Sequence, residues 1–171
     1  AAAASYNADE KELCRLDEIY SAAKTPFEIR SGSEKVTRRF FKICNNGQES
    51  FTGLYKSLTE QGICKGHQCI AYGLYMRDNG IELSEGLAVY GYSICSAIVT
   101  NCVKLVPLSQ LAGQKILGES FELISSASEK ALFTDINDIG ISGAGFDLRA
   151  MQHERLYSRP VSYTHLRAHE T

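Results

Sequence analysis

Asn101-Cys-Val-Lys-Leu-Val-Pro-Leu-Ser-Gln-Leu-Ala-Gly-Gln-Lys-Ile-Leu117 is the stretch that decides how this chain folds, because a helix must stop and restart within it. Pro107 has no amide hydrogen and biases Val106 out of the helical region. One helix is therefore expected to end near Leu105 and a second to begin at the proline. Lys104 then falls in the last turn of the first helix, where a cation suits the carbonyl end of the dipole. Gln110 and Gln114 lie four apart on one face of the second helix. The result is a rigid corner carrying a polar cluster, a shape suited to docking.

Upstream of the corner, the first helix reads back to about Ser84. Leu87, Tyr90, Ile94, Ile98 and Leu105 form a broad apolar stripe, and small Gly91, Ser93, Ser96 and Ala97 admit close neighbours, so this helix is expected to be central. Asp78-Asn79-Gly80 marks the turn before it. Four earlier helices are predicted. Asp9 to Ala23 carries Leu13, Leu16, Ile19 or Tyr20, and Ala23 at three- and four-residue steps. The next opens with Thr25 as N-cap and Pro26 in the first helical position, and uses Phe27, Phe40, Phe41 and Cys44 as far as Asn45-Asn46-Gly47, with Gly32 and Ser33 weakening its middle. Ser50 to Glu60 uses Phe51, Leu54, Tyr55 and Leu58, and His67 to Arg77 turns Ile70, Ala71, Leu74 and Tyr75 inward.

Downstream, Pro107 to about Leu132 is expected to form one helix burying Leu111, Ile116, Leu117, Phe121 and Ile124. The glycine-containing residues 135–146 read as a flexible linker, and Asp147 to Tyr157 as a short helix using Leu148, Met151 and Leu156. There is no internal repeat and no strand-like alternation. The fold class is all-α, a single-domain helical bundle over residues 1–134, followed by the linker and a terminal segment, 147–160.

With 171 residues, 44% of them hydrophobic and 22% charged, the chain can bury one core but hardly two. A net charge of -2 argues against a nucleic-acid footprint, and no long single-sign run suggests an anionic membrane surface. No apolar run approaches the roughly 18 residues of a membrane span. Ala1 to Ala4 lead straight into polar residues instead of a signal-peptide core, so a cytoplasmic location is expected. The chain opens without a methionine and enters mid-helix, as an N-terminally truncated bundle would. Residues 161–171 read as translated sequencing adapter, with native protein ending near Arg159 or Pro160. His165 and His169, an i,i+4 pair resembling a metal site, are accordingly set aside.

Chemical motifs are sparse. Six cysteines without paired spacing suit reduced thiols better than a disulfide framework. Cys95 and Cys102 share a helix face but lie about 10 Å apart along the axis, too far for a disulfide. Cys64, His67 and Cys69 look like three metal ligands without an evident fourth, and structural roles are favoured. His153-Glu154 suggests acid–base chemistry, but a terminal segment offers no buried pocket to tune it, so anchoring is preferred. There is no phosphate loop, nucleophile elbow or HExxH. The chain is thus expected not to be an enzyme; the alternative is a small helical metal-binding protein or enzyme using Cys64, His67 and Cys69.

Three separated segments carry a resemblance: the corner Asn101 to Leu117, the helix start Gly80-Ile-Glu-Leu83, and the tail Asp147-Leu-Arg-Ala-Met-Gln-His-Glu-Arg-Leu-Tyr-Ser-Arg159. Together they resemble the UreF family of urease accessory proteins. The likeness extends more weakly through Pro26 to Arg30 and Gly66 to Gly73, covering most of residues 10–159. The family's proline- and glycine-containing opening motif is missing, so the chain looks like the C-terminal two-thirds of such a protein. The resemblance implies an all-helical, dimeric, non-enzymatic chaperone scaffold that bridges UreD (UreH) and the GTPase UreG for nickel delivery to apo-urease. Nickel would be handled by the assembled complex, with no cofactor bound tightly by this chain. It further implies that Tyr92 and Lys104, with Pro107, Gln110, Gly113 and Gln114 of the corner, face the GTPase. Met151, His153, Arg155, Leu156, Tyr157 and Arg159 would lie on the side that orders against UreD (UreH). Ala88 departs from the pattern, standing where some relatives carry an arginine.

Overall fold

Ile70, Ala71, Leu74 and Met76 have no exposed surface, although they point in several directions around one helix. In the computed structural model, which describes residues 1–44, 47, 49–106, 108–139 and 143–156, that helix is the one its neighbours surround. The described residues form α1 (Ala2–Tyr6), α2 (Glu10–Ala23), α3 (Phe27–Ile43), α4 (Phe51–Glu60), α5 (Gln68–Asp78), α6 (Leu83–Leu105), α7 (Gln110–Glu119), α8 (Phe121–Phe133) and α9 (Ala144–His153), with a 3-10 turn at Ile136–Asp138 and no strand among them. The fold is all-α, as the periodicity and turn signals imply.

Local side-chain caps place the starts of α2, α4, α6 and α7. Asp9 opens α2 through a reciprocal box, its carboxylate accepting from the Glu12 amide at 2.8 Å while Glu12 accepts from the Asp9 amide at 3.3 Å. Ser50 accepts from the Gly53 amide at the head of α4. The same helix start receives help from far away in sequence. Asp78, at the end of α5, accepts from the amides of Phe51 and Thr52 at 3.0 and 2.8 Å. A carboxylate at a helix C-terminus opposes that helix's dipole, but here it sits against the N-terminal amides of α4, where the interaction is favourable. Arg77 lies over the Phe51 ring, 3.5 Å from its centroid, joining the two helices again.

α5 packs against α1, α2, α3, α4 and α6. α1 approaches so closely that a Cβ on Gly73 would collide with Ser5 Oγ and the Ala2 carbonyl. Ser5 donates from its hydroxyl to the carbonyls of Ala2 and Ile70, Tyr6 donates to the Ile81 carbonyl, and Arg77 donates to the Ala8 carbonyl. The alanine run that sequence reasoning passed over is thus part of the core: small side chains let α1 lie against α5.

Several expectations are corrected. The central helix is α5, not α6, of which only Gly86 and Leu87 are buried. α3 begins at Phe27 with Pro26 in the capping position, one residue later than the Thr25 cap predicts, and runs unbroken through Gly32 and Ser33. The segment after the corner is two helices. Ser109 caps α7 by accepting from the Ala112 amide at 3.1 Å, so helix begins at Gln110 and not at residue 107. α7 gives way to α8 at Ser120, whose hydroxyl donates back to the Ile116 carbonyl at 2.8 Å and whose amide is shared between the Ile116 and Leu117 carbonyls. Of the five residues assigned to that helix's buried face, Leu117 and Ile124 are buried, whereas Leu111, Ile116 and Phe121 are exposed. Ile94, Ile98 and Leu105 of α6 are likewise exposed, as is Phe27 of α3. By length and composition α6 would also qualify as a membrane span, which the search for an uninterrupted apolar run overlooked.

The 3-10 turn Ile136–Asp138 lies in the expected linker, with Ile136 and Ile139 packed against the core, and the last helix includes Phe146. Asn45, Asn46, Pro107, residues 140–142, Tyr157, Arg159 and the adapter-like 161–171 with His165 and His169 lie outside the described residues.

Candidate functional site

The corner is built by a close helix crossing. Gly113 is buried, and a Cβ there would meet Val103 Cγ2 at 2.8 Å and Val99 Cγ1 at 3.1 Å. Gly113 therefore belongs to the hinge of the corner, where lack of a side chain lets α7 lie on α6, and it offers nothing outward. Lys104 sits exposed in the last turn of α6, while Gln110 and Gln114 are exposed on α7. Leu105 and Val106 are 62% and 55% exposed, and Leu111 is 81% exposed. The corner is thus an apolar knob with three polar residues around it, not the polar cluster its sequence suggests. Leu105 and Leu111 were overlooked as surface residues because helical periodicity assigns both to the core; nothing short of the packing shows that no helix among the described residues covers them.

Tyr92 does not join this surface. It lies twelve residues before Lys104, about 18 Å along the α6 axis and a third of a turn round it. Its ring instead stacks on Phe121 of α8, centroids 5.7 Å apart and planes 1° from parallel. Alongside it, Val89, Ser93, Ser96, Ala97, Thr100 and Asn101 line a shallow surface groove on α6.

α9 forms a second surface, held against α3. His153 Nδ1 lies 2.7 Å from Glu28 Oε2, and the Phe27 amide at the head of α3 donates to Glu154 Oε1 at 2.9 Å. These contacts engage the polar end of α9, while Phe146, Leu148, Met151 and Leu156 remain exposed, as does Arg155. Of the residues named from sequence for this surface, Met151, Arg155 and Leu156 are exposed and His153 meets Glu28. Sequence reasoning missed Phe146, which it placed in the linker, and the pairing of His153 and Glu154 with α3.

The third sequence candidate dissolves into the core. Asp17 of α2 is buried and accepts from the Tyr55 hydroxyl at 2.6 Å, the Lys65 amide at 2.6 Å and the Gly66 amide at 3.1 Å. Tyr55 in turn accepts from the His67 amide at 2.8 Å. Gly66, with φ +86, supplies the left-handed turn this loop needs. Burial, and secondarily the Asp17 carboxylate, push the Tyr55 phenol far up, so it stays a donor to Asp17. His67 Nε2 is 2.7 Å from Ser21 Oγ, its ring meets Tyr20 edge-on at 4.9 Å, and its Nδ1 has no hydrogen-bond partner among the described residues. Burial holds this imidazole below its ordinary value despite the opposing pull of Asp17. Cys64 points to Cys14, at 3.8 Å, and Cys69 to Tyr20. The three side chains thus turn to three different partners, and no group of three or more potential ligands converges among the described residues.

The comparisons with known proteins agree with the helical plan. The UreF family model matches residues 1–120. Over 154 residues, covering 90% of this chain and 68% of the relative, the chain is 32% identical to the protein named urease accessory protein UreF in Actinobacillus pleuropneumoniae serotype 5b. It is 30% identical over 148 residues to the protein of that name in Paenarthrobacter aurescens, covering 84% of this chain and 65% of the relative. A third, from Streptococcus thermophilus, is 27% identical over 139 residues, 81% of this chain and 59% of the relative. A family match spanning more than half of an all-helical chain, joined to a relative above 30% identity, places this chain in the UreF family of urease accessory proteins.

Proposed function

We propose that the chain acts as a non-enzymatic chaperone scaffold in a urease-maturation assembly, bridging UreD (UreH) and the GTPase UreG so that nickel reaches apo-urease. The observation that carries this reading is the presence of two separate apolar surfaces on one helical bundle. One is the corner with Leu105, Val106 and Leu111; the other is the C-terminal segment, with Phe146 and Leu148 on α9 and Leu156 just past its end. Large apolar side chains exposed in groups mark surfaces that other proteins cover, and aliphatic anchors ringed by polar groups suit protein contacts better than small-molecule chemistry.

In this reading the corner, with Lys104, Gln110 and Gln114 around its apolar centre and Tyr92 further along α6, takes the GTPase, Pro107 of the same stretch included. The α9 segment, with Met151, His153, Arg155, Leu156, Tyr157 and Arg159, takes UreD (UreH). The open face of α6 would hold a second copy in a homodimer within the assembly. Nickel is cargo of the whole assembly, no cofactor is held tightly by this chain, and the location is cytoplasmic.

The experiment is a pair of pull-downs with purified UreG and UreD (UreH). Leu105→Asp combined with Leu111→Asp is expected to reduce UreG capture at least roughly tenfold while leaving UreD (UreH) capture intact. Leu148→Asp with Leu156→Asp is expected to do the reverse. Circular dichroism of both variants should match the parent. If each pair leaves both captures unchanged, the two-surface reading is wrong.

A further inference from the structure

Cys14 on α2 and Cys64 in the loop before α5 are 50 positions apart in sequence, yet their sulfurs lie 3.8 Å apart. The backbone on both sides is tied down. Asp17, one turn beyond Cys14, accepts from the amides of Lys65 and Gly66, the two residues after Cys64. Cys64 is buried, whereas Cys14 is only half-buried and borders a shallow surface concavity with Asp9, Glu10 and Lys11. One thiol is therefore reachable from solvent and the other waits behind it.

We propose that Cys14 and Cys64 are a reversible redox pair, oxidised to a disulfide by low-molecular-weight disulfides and clamping residues 61–67 to α2. The Cys14 thiolate attacks one sulfur of the small disulfide RSSR; that sulfur–sulfur bond breaks, one RS⁻ leaves, and a mixed disulfide forms on Cys14. Cys64, deprotonated, then attacks Cys14 Sγ and expels the second RS⁻. The protons from the two cysteines end on two RSH, so the small disulfide is reduced by two electrons and the protein pair is oxidised by two. Closure brings the sulfurs from 3.8 Å to a bonding distance of about 2.05 Å. Burial, followed by the Asp17 carboxylate, raises the Cys64 thiol. The second step is accordingly slow near neutrality and quickens as pH rises.

The test incubates the whole chain with oxidised glutathione at pH 8, alkylates the remaining thiols and maps the peptides. The expected result is a peptide pair joined through Cys14 and Cys64, with Cys44, Cys69, Cys95 and Cys102 in no peptide-to-peptide link. The thermal midpoint should rise by roughly 5–10 °C, because a long loop is closed in the unfolded chain, and should return on reduction. Cys14→Ser should abolish both the link and the shift. Glutathione left singly on Cys14 with no link to Cys64, or links spread evenly over Cys44, Cys95 and Cys102, would overturn the proposal. The peptide map of the unaltered chain decides this even if a variant fails to fold.

Discussion

α5 and α6 start from the same kind of sequence and end in opposite environments. Both are rich in apolar and small residues, and α6 is the longer and more apolar of the two. α5 is enclosed by five other helices, and six of its residues are buried. α6 meets α7 and α8, and touches the core only in its N-terminal part, through Leu87 and Tyr90, so Ile94, Ile98 and Leu105 stay exposed. An apolar helix demands to be covered, but its composition does not say by what: the rest of the same chain covers α5, while much of α6 is left for another surface. Burial is concentrated around α5, and the exposed apolar groups of the corner and of α9 lie where that packing thins out.

The sharpest test of that contrast sets Leu74→Ala in α5 beside Leu111→Ala at the corner. The first should cost about 2–5 kcal/mol in urea unfolding, as a large-to-small change in a fully buried site does. The second should stay within about 0.5 kcal/mol, and equal losses would erase the division between core and docking surface. Asp17→Ala should follow, at roughly 3 kcal/mol, because it strands the Tyr55 hydroxyl and two loop amides at once; a nearly neutral result would mean water replaces the carboxylate.

Glycine substitutions at the two crossings compare the halves more finely. Gly73→Ala drives a methyl into Ser5 and the Ala2 carbonyl, and displacement of α1 is expected to cost about 1–3 kcal/mol, read from the thermal midpoint. Gly113→Ala meets side-chain methyls that can yield and gains helix propensity, so its cost should be under about 1 kcal/mol. Its clearer signature should be weaker UreG capture, because the corner opens.

The smallest expected effect is pH dependence through His67. Its folded-state value is held below the unfolded value near 6.5 by burial. Between the two values the unfolded chain binds a proton that the native chain does not. Stability from this residue is therefore complete above about pH 6.5, declines as pH falls through that window, and levels off below the folded value. Urea midpoints measured from pH 7.5 to 5.5 should show the decline, and His67→Gln should flatten it.

Much of this protein was legible from sequence because the signals were local. Pro26 at the head of α3 and Asp78-Asn79-Gly80 after α5 each act within a few residues, so they mark helix ends without reference to the fold, whereas the caps of Asp9 with Glu12 and Ser50 with Gly53 went unread. The three-and-four spacing of Leu13 and Leu16, or of Tyr55 and Leu58, likewise points to an apolar face that the structure buries. The corner and the tail segment could be located in the same way, but not their character.

Sequence by itself determined that the chain is all-helical, where most helices start, and which residues are apolar enough to need a partner, because propensity, capping and periodicity are properties of neighbouring residues. Only the tertiary structure decided that α5 and not α6 is the centre, that Ala2 and Ser5 are core, that Leu105 and Leu111 face outward, and that Cys14 meets Cys64. The physical reason is that burial belongs to pairs of surfaces: whether an apolar face is core or interface depends on which distant helix reaches it, and no residue within one turn carries that information.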